Sequence, residues 1–286
     1  NARGFEIEHL LADGQRDLFQ FLRENPHRLH LGRIGFLLRR SDGAEAAPED
    51  LQDIRQELDL WRGVLHSRFV FEGAPADVET TCHPTLDCLL VRVRSALLQS
   101  GAAAIGLQFP YGSPSMTAAD WGNAGRHSTE LSGATRNGVR IARRLDGDSY
   151  HVALRWQGGA TAQKTGPHGI VIHASTPEIA LFVSFAPERA ELPSADAFPQ
   201  AEASWRRFWA GGGAVDFGAA ADPRAREIER RAVLSQYLTA IQCAGSMPPQ
   251  ETGLTCNSWY GKFHLEMHWW HAAHFPLWGR AELLAR

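Results

Sequence analysis

The sequence predicts a chain that is mixed β then α: a large antiparallel β-sandwich, then a linker helix, then the beginning of a paired-helix domain. Three observations predict it. From about Leu29 to Pro187, short apolar segments of strand length are separated by Gly, Pro, Asp and Asn, with hardly any sustained helical period. After Pro187 the composition changes to long helical runs. Finally, the stretch Gly253 to Arg280 holds four of the nine tryptophans and four of the thirteen histidines, so aromatic and ionisable groups are concentrated in the helical part.

In chain order, LHLGRIGFLLR, SRFVFEG, ADVETTCH, DCLLVRVRS, AAIGLQFPYG, GVRIARRL, SYHVALRW, GIVIHAS and EIALFVSFAP each read as one strand. Several alternate, as Val91, Val93 and Ser95 do against Arg92 and Arg94, which marks half-buried antiparallel strands. At this strand count two packed antiparallel sheets are the economical architecture. Arg140, Arg143, Glu72 and Asp77 read as solvated strand faces. Two stretches interrupt the pattern and are expected to be long loops or a short helix. One is Ala44 to Leu60, whose PEDLQDIRQELDL has helical spacing; the other is Ser113 to Asn137. In the second, DWGNAGRHST reads as an exposed loop with one packed Trp, although Asp120, Trp121, Arg126 and His127 could also reach a neighbouring domain.

The domain boundary falls where the strands end, giving a sandwich over 1–190, a helical linker over 191–221 and a paired-helix region from 222 to 286. ADAFPQAEASWRRFWA is the linker helix, stopped at Gly211, Gly212 and Gly213. Asp222 is a natural N-cap with Pro223 at the first helical position of the next helix, whose Ile228, Leu234, Tyr237, Leu238 and Ile241 line one face before Gly245. A loop with Pro248, Pro249 and Gly253 leads into a second helix, expected from about Tyr260 or Lys262 until Gly279.

On that helix Lys262, Glu266 and Trp270 fall on one line, with Trp259 near its start, while His264, His268 and His271 fall on another with His274 beside it. An acid and a base between indole faces suit a sugar, whose hydroxyls take charged hydrogen-bonding groups and whose C–H face takes tryptophan. The blander reading is an ordinary Lys262–Glu266 helical ion pair, worth about 0.2–0.5 kcal/mol. Phe263, Met267 and Trp278 read as packed residues. His264 and His268 have a metal-compatible spacing, but HLEMH is not H-E-x-x-H, because Glu266 lies about 200° around the helix from His264. Packed or hydrogen-bonded histidines are the expectation, with no metal and no cofactor.

Composition narrows the classes. With 44% hydrophobic residues over 286 positions the chain can bury a full core. A net charge of −3 gives no electrostatic case for nucleic acid or an anionic membrane, and no apolar run approaches the roughly 18–20 residues of a span. The chain begins with Asn and shows no signal peptide, so it reads as mature, trimmed or excised. Cys82, Cys88, Cys243 and Cys256 lack CxxC spacing and do not suggest a zinc or redox site.

MPPQETGLTCNSWYGKFHLEMHWWHAAHFPLWGR, preceded by SWRRFWAGGGAVDF, DPRA and ERRAVLSQYL, resembles the front of the barrel in bacterial proteins of the six-hairpin glycosidase superfamily, those similar to glycoside hydrolase family 65. The match is specific over the C-terminal part and weak over the strands. It implies an N-terminal β-supersandwich, a helical linker and the first hairpin of an (α/α)6 barrel whose inner-helix N-termini form the sugar pocket. Family 65 proper carries a Trp-Asp pair where this chain reads His264, Leu265, Glu266, Met267, His268, so Glu266 and His268 are the closest substitutes.

The resemblance therefore implies the N-terminal part of a glycoside hydrolase or phosphorylase acting on α-glycosides, whose partners are a glycoside or oligosaccharide and the remainder of the barrel. Trp259, Lys262, His264, Glu266, His268 and Trp270 would bind the sugar, with the general acid on a later hairpin. Such enzymes are commonly exported, which favours a periplasmic or secreted location, although no segment demonstrates it. Two other classes stay open: a non-catalytic carbohydrate-binding or scaffolding module, and a metal-dependent hydrolase built on the histidine row.

Overall fold

The strands precede the long helices, as the periodicities require. A computed structural model describes residues 15–245 and 247–285. After α1 (Arg16–Glu24) come β1 (Arg33–Leu38), β2 (Leu51–Asp59), β3 (Val64–Phe71), β4 (Ala74–Cys82), β5 (Cys88–Arg94), α2 (Ala96–Ser100), β6 (Ala103–Gln108) and the short β7 (Tyr111–Gly112) and β8 (Ala119–Asp120). Next are β9 (His127–Thr135), β10 (Gly138–Leu145), β11 (Asp148–Gln157), β12 (Ala160–Thr165), β13 (Gly169–Ala174) and β14 (Glu178–Ala186). The helices α3 (Ala197–Ala210), α4 (Arg224–Cys243), α5 (Leu265–Ala272) and α6 (His274–Leu277) follow. The chain divides into two compact units. The first is Leu31–Tyr111 with Trp121–Gly211; the second is Gly112–Asp120 with Gly212–Arg286 and the described part of Asn1–His30.

The first unit is a sandwich of two antiparallel sheets, ordered β1-β6-β13-β12 and β2-β3-β4-β5-β14-β11-β10-β9. Period-2 alternation aims one face of each sheet inward: Val91 and Val93 from β5, Ile141 from β10, Val152 and Leu154 from β11 and Leu181 from β14 meet Ile105, Leu107, Ile170 and Ile172 of the smaller sheet. The outer face of the larger sheet carries its buried apolar cluster at the middle. There Cys88, Leu90, Ala180 and Phe182 pack under Ala197, Phe198 and Ala201 of α3. Burial on both faces is why EIALFVSFA reads as a continuous apolar run rather than an alternating one.

Four contacts fasten α3 and the segment before it to this sheet. Arg155 Nη2 donates to the Pro193 carbonyl at 2.7 Å, and Arg140 Nη1 to the Ala190 carbonyl at 2.9 Å. Arg62 pairs with Glu202 at 2.5 Å, and Trp209 Nε1 donates to the Leu60 carbonyl at 2.6 Å. Beside that last bond Gly63 adopts φ +64, and a Cβ there would lie 1.9 Å from Trp205 Cδ1. Glycine is required twice over, by backbone conformation and by the indole seated on it.

Three expectations are corrected. Ala44 to Leu60 is a single 3₁₀ turn, Pro48–Asp50, followed by the edge strand β2. Pairing with β3 overrides helix propensity, and the helix-like spacing arises from a bulge, with Asp53 at φ 48 and a register shift between Gln52 and Arg55. Within Ser113 to Asn137, His127–Thr135 is β9, the opposite edge of the large sheet, whose exposure explains its polar composition. Arg143 is not solvated at all but fully buried. Its guanidinium donates to the carbonyls of Ser128 at 2.7 Å and Pro110 at 2.9 Å and to Thr129 Oγ1, and contacts Tyr150 Oη at 3.2 Å and His127 Nδ1 at 2.7 Å. His127 in turn stacks on His168 with centroids 3.6 Å apart. The charge is dispersed over neutral acceptors, which satisfies the donors without a carboxylate.

Gly63→Ala is expected to lower unfolding stability by about 2–4 kcal/mol. Gly73→Ala, also left-handed at φ +77 but facing open space, is expected to lose only about 1 kcal/mol. Equal melting temperatures for the two variants would show that Trp205 is not seated on Gly63. Arg143→Met should cost about 3–5 kcal/mol in chemical denaturation, because the carbonyls and hydroxyls around it lose their donor.

Candidate functional site

The second unit is built around α4 and the chain that returns after it. Asp222 Oδ1 accepts the Arg224 backbone N–H at 2.9 Å, capping α4 where the Asp-Pro pair predicts. Among the expected apolar stripe Tyr237 is buried, whereas Ile228, Leu238 and Ile241 are exposed. The glycines after α3 do more than end a helix. Gly213 N–H donates to the Trp278 carbonyl at 2.6 Å, and a Cβ on Gly212 would fall 2.5 Å from that oxygen. Nearby the buried Arg280 donates to Gln236 Oε1 at 2.6 Å.

Between α4 and α5 the chain makes a left-handed turn. Trp259 (φ 48), Tyr260 (φ 59) and Gly261 (φ 73) are consecutive left-handed residues. For the two aromatic residues that conformation costs roughly 1–2 kcal/mol each, so surrounding contacts must hold it. Several do. Buried Asn257 donates its backbone N–H to the Met116 carbonyl at 2.8 Å and its side chain to the Arg28 carbonyl at 3.2 Å. Gln20 donates to Tyr260 Oη at 3.4 Å, and the Arg23 guanidinium lies 6.0 Å from the Tyr260 ring. Lys262 Nζ donates to the Leu22 and Asn25 carbonyls at 3.2 and 3.0 Å, placing an ammonium at the C-terminal end of α1, where the helix dipole favours it. What the turn leaves outside is Trp259, 55% exposed, with its indole 6.0 Å from the His264 ring.

The helix then starts at Leu265, later than expected, with His264 in extended geometry at its N-cap. This late start removes Lys262 from the predicted stripe: its ammonium serves α1, and the Lys262–Glu266 pair does not form. Glu266 sits exposed in the first turn of α5 without a side-chain partner among the described residues. Trp270, one turn further, is 66% exposed on the same line. His268 is half-buried, with Phe263 edge-on at 6.3 Å; Phe263 itself is exposed rather than packed. His271 Nε2 lies 2.9 Å from the Glu251 carbonyl, and burial holds the His274 imidazole below its ordinary value. Among the described residues no three His, Cys, Asp or Glu side chains converge as metal ligands. The geometry thus joins Trp259 and His264 at the N-terminal end of α5, with Glu266 in its first turn, and sets Lys262 apart. Asn257, Tyr260 and Gly261, which shape this end, carried no sequence signal beyond one glycine.

No family model and no curated protein sequence matches this chain. Solved structures do. A candidate kojibiose phosphorylase from the human microbiome superposes with a TM-score of 0.57 at 11% identity, over 87% of this chain and 37% of that one. A bacterial glucoamylase solved with acarbose superposes with a TM-score of 0.51 at 10% identity, over 88% of this chain and 43% of its own. At such identities the fold is what is shared. The chain therefore has the fold of part of these carbohydrate-active proteins, which agrees with the resemblance read from residues 247–280, and it spans less than half the length of either.

Gly261→Ala would place a Cβ 2.8 Å from Asn257 Oδ1 and 2.9 Å from Arg28 Cβ at a left-handed φ. The variant is expected to lose about 2 kcal/mol of stability and to change the near-ultraviolet circular dichroism of the tryptophans. Lys262→Met should cost about 1–2 kcal/mol by uncapping α1, and an unaltered melt would show that the ammonium stabilises nothing there.

Proposed function

We propose that this chain is the N-terminal part of an enzyme that hydrolyses or phosphorolyses α-glycosides. In this reading the sandwich domain lies within residues 1–190, 191–221 are the linker and 222–286 the start of an (α/α)6 barrel. The observation that carries it is the strained turn that displays Trp259 beside His264 at the N-terminal end of α5, with Glu266 unpartnered in the first turn. Backbone strain held by many contacts is typical of sites where one side chain must be presented in a fixed attitude.

The chemistry follows from the side chains. The Trp259 indole offers a platform for the C–H face of a pyranose, and the Glu266 carboxylate accepts hydroxyl hydrogen bonds with full charge assistance. His264, His268 and Trp270 stand along the same short helix as further contacts, and Lys262 acts by holding the turn. Inverting glycoside cleavage uses two carboxyl groups roughly 6.5–9.5 Å apart, one protonating the leaving oxygen and one activating water. Glu266 is the single carboxylate assigned here, and its part is glycone binding, so the general acid belongs to a part of the enzyme outside these residues. The exposed Ile228, Leu238, Leu265, Trp269 and Leu277 are the seats for the other barrel helices, since apolar surface of this size is seldom left to solvent.

The test uses the natural gene product, assayed for release of sugar and of sugar phosphate from aryl α-glycosides. Glu266→Gln and Trp259→Ala are each expected to lower kcat/KM about 10–100-fold, mainly through KM. Unchanged kinetics in both variants would remove these residues from the pocket. Sugar binding without turnover would replace the enzyme with a binding module.

A further inference from the structure

On the outer face of the larger sheet the buried apolar cluster lies under α3. Beside that helix, over β2 to β5, lies a groove of about 370 Å³ lined by Arg55, Glu57, His66, Arg68, Asp77, Glu79 and Arg94 together with Ser67 and Val78. Its volume is within the usual range for small-ligand sites, roughly 300–1,000 Å³. The register arranges these groups in two rungs. Arg55 pairs with Arg68, Arg68 with Asp77, Asp77 with Arg94 and Arg94 with Glu178. Two residues along, Glu57 pairs with His66, His66 with Glu79 and Glu79 with Arg92.

Three features separate this face from an ordinary solvated one. The first is the side towards α3: Glu79 is held there by half-buried Arg92 at 2.7 Å, whose guanidinium lies 4.3 Å from the Phe198 ring. The rim is looser and wetter: Arg68 stands 3.8 Å from Asp77, while Arg55 meets Glu57 at 3.2 Å and Arg94 meets Glu178 at 3.3 Å and Glu79 at 3.7 Å. Side chains of Arg55, Arg68 and Arg94 remain 77%, 58% and 48% exposed, so the N–H groups that Glu57 and Glu178 do not engage face solvent and a ligand. Second, Arg55 lies directly opposite Arg68, a like-charge pair that the fold tolerates at a cost. Third, the bulge at Asp53 immediately precedes Arg55, and bulges re-aim the side chains beside them.

The groove holds three guanidinium groups and three carboxylates, so it attracts neither anions nor cations by net charge. It does present planar bidentate donors and acceptors side by side, at the strand spacing of about 4.8 Å, on the scale of one sugar ring. A neutral ligand rich in vicinal hydroxyls, which donate and accept at once, matches that array. We propose that this groove is a second saccharide site, binding a neutral oligosaccharide laid across β2 to β5, separate from the Trp259 turn. With no Phe, Tyr or Trp lining it, affinity comes mainly from hydrogen bonds and falls at about the millimolar level.

The test titrates the isotope-labelled chain with maltohexaose and with dextran and cellulose oligosaccharides while following backbone amide shifts. The expected result is saturable shifts at Ser67, Val78 and their neighbours with at least one neutral oligosaccharide, little changed at about 0.3 M salt. The double variant Arg55→Ala/Arg68→Ala, made at exposed positions, should bind about tenfold more weakly. Trp259→Ala should bind there as the parent does, which separates this site from the one proposed for catalysis. Absence of shifts at these strands with every neutral oligosaccharide overturns the proposal. So do shifts that vanish in Trp259→Ala, or shifts given only by a sulfated or uronic oligosaccharide and abolished by salt. Loss of binding with the parent's amide spectrum otherwise preserved assigns the effect to the arginines rather than to unfolding.

Discussion

Burial of β5 and β14 on both faces is the constraint on which the sandwich unit depends. Leu181 and Val183 belong to the core between the sheets, while Ala180 and Phe182, which alternate with them, lie under α3. Each fully buried side chain of this size contributes roughly 1.5–3 kcal/mol, so neither face can be left open without loss. Hence the segment after β14 turns back over the sheet, and its backbone carbonyls are met by Arg140 and Arg155. Gly63 and Trp209 then fix the far end of α3 at the β2–β3 turn. The polar groove over β2 to β5 is the remainder of this arrangement, the part of the outer face that the helix does not cover.

The second unit obeys a different constraint, backbone strain held by contacts distant in sequence. Two aromatic residues in left-handed geometry are kept there by Asn257 and Lys262, whose partners come from residues 22–28 and 116, and by Gln20, which donates to Tyr260 itself. The outcome is that Tyr260 and Lys262 are turned into the unit and Trp259 is turned out. An acid in the first turn of α5 and an indole beside the N-cap then share one end of a helix, where exposed N–H groups also favour oxygen ligands. The arrangement uses few residues and leaves much apolar helix surface exposed.

Both units place charge where simple polarity rules would not. Arg143 is buried among carbonyls, hydroxyls and imidazoles, with the Phe109 ring 5.1 Å from its guanidinium. Arg280 is buried against Gln236 and the chain at Gly213, and desolvation lowers its proton affinity. In each case a planar group with five donors satisfies backbone and side-chain acceptors at once, a geometry that lysine's point charge does not reproduce.

What the sequence determined by itself was local: the alternation that makes β5, β10 and β11, the Asp-Pro start of α4, the glycine stop at Gly279, and the gathering of indoles, imidazoles and one carboxylate near residue 266. These follow from periodicity, capping and composition, which neighbouring residues settle among themselves. Tertiary structure decided whatever depends on a distant partner. It made β2 a strand because β3 pairs with it, although its spacing is helical. It buried Arg143, which alternates along β10 exactly as a core residue does, because acceptors from β9 and the chain after β6 gather round it. It delayed α5 to Leu265 and gave Lys262 to α1, because a left-handed Trp-Tyr pair has no local cause and exists only while other segments hold it.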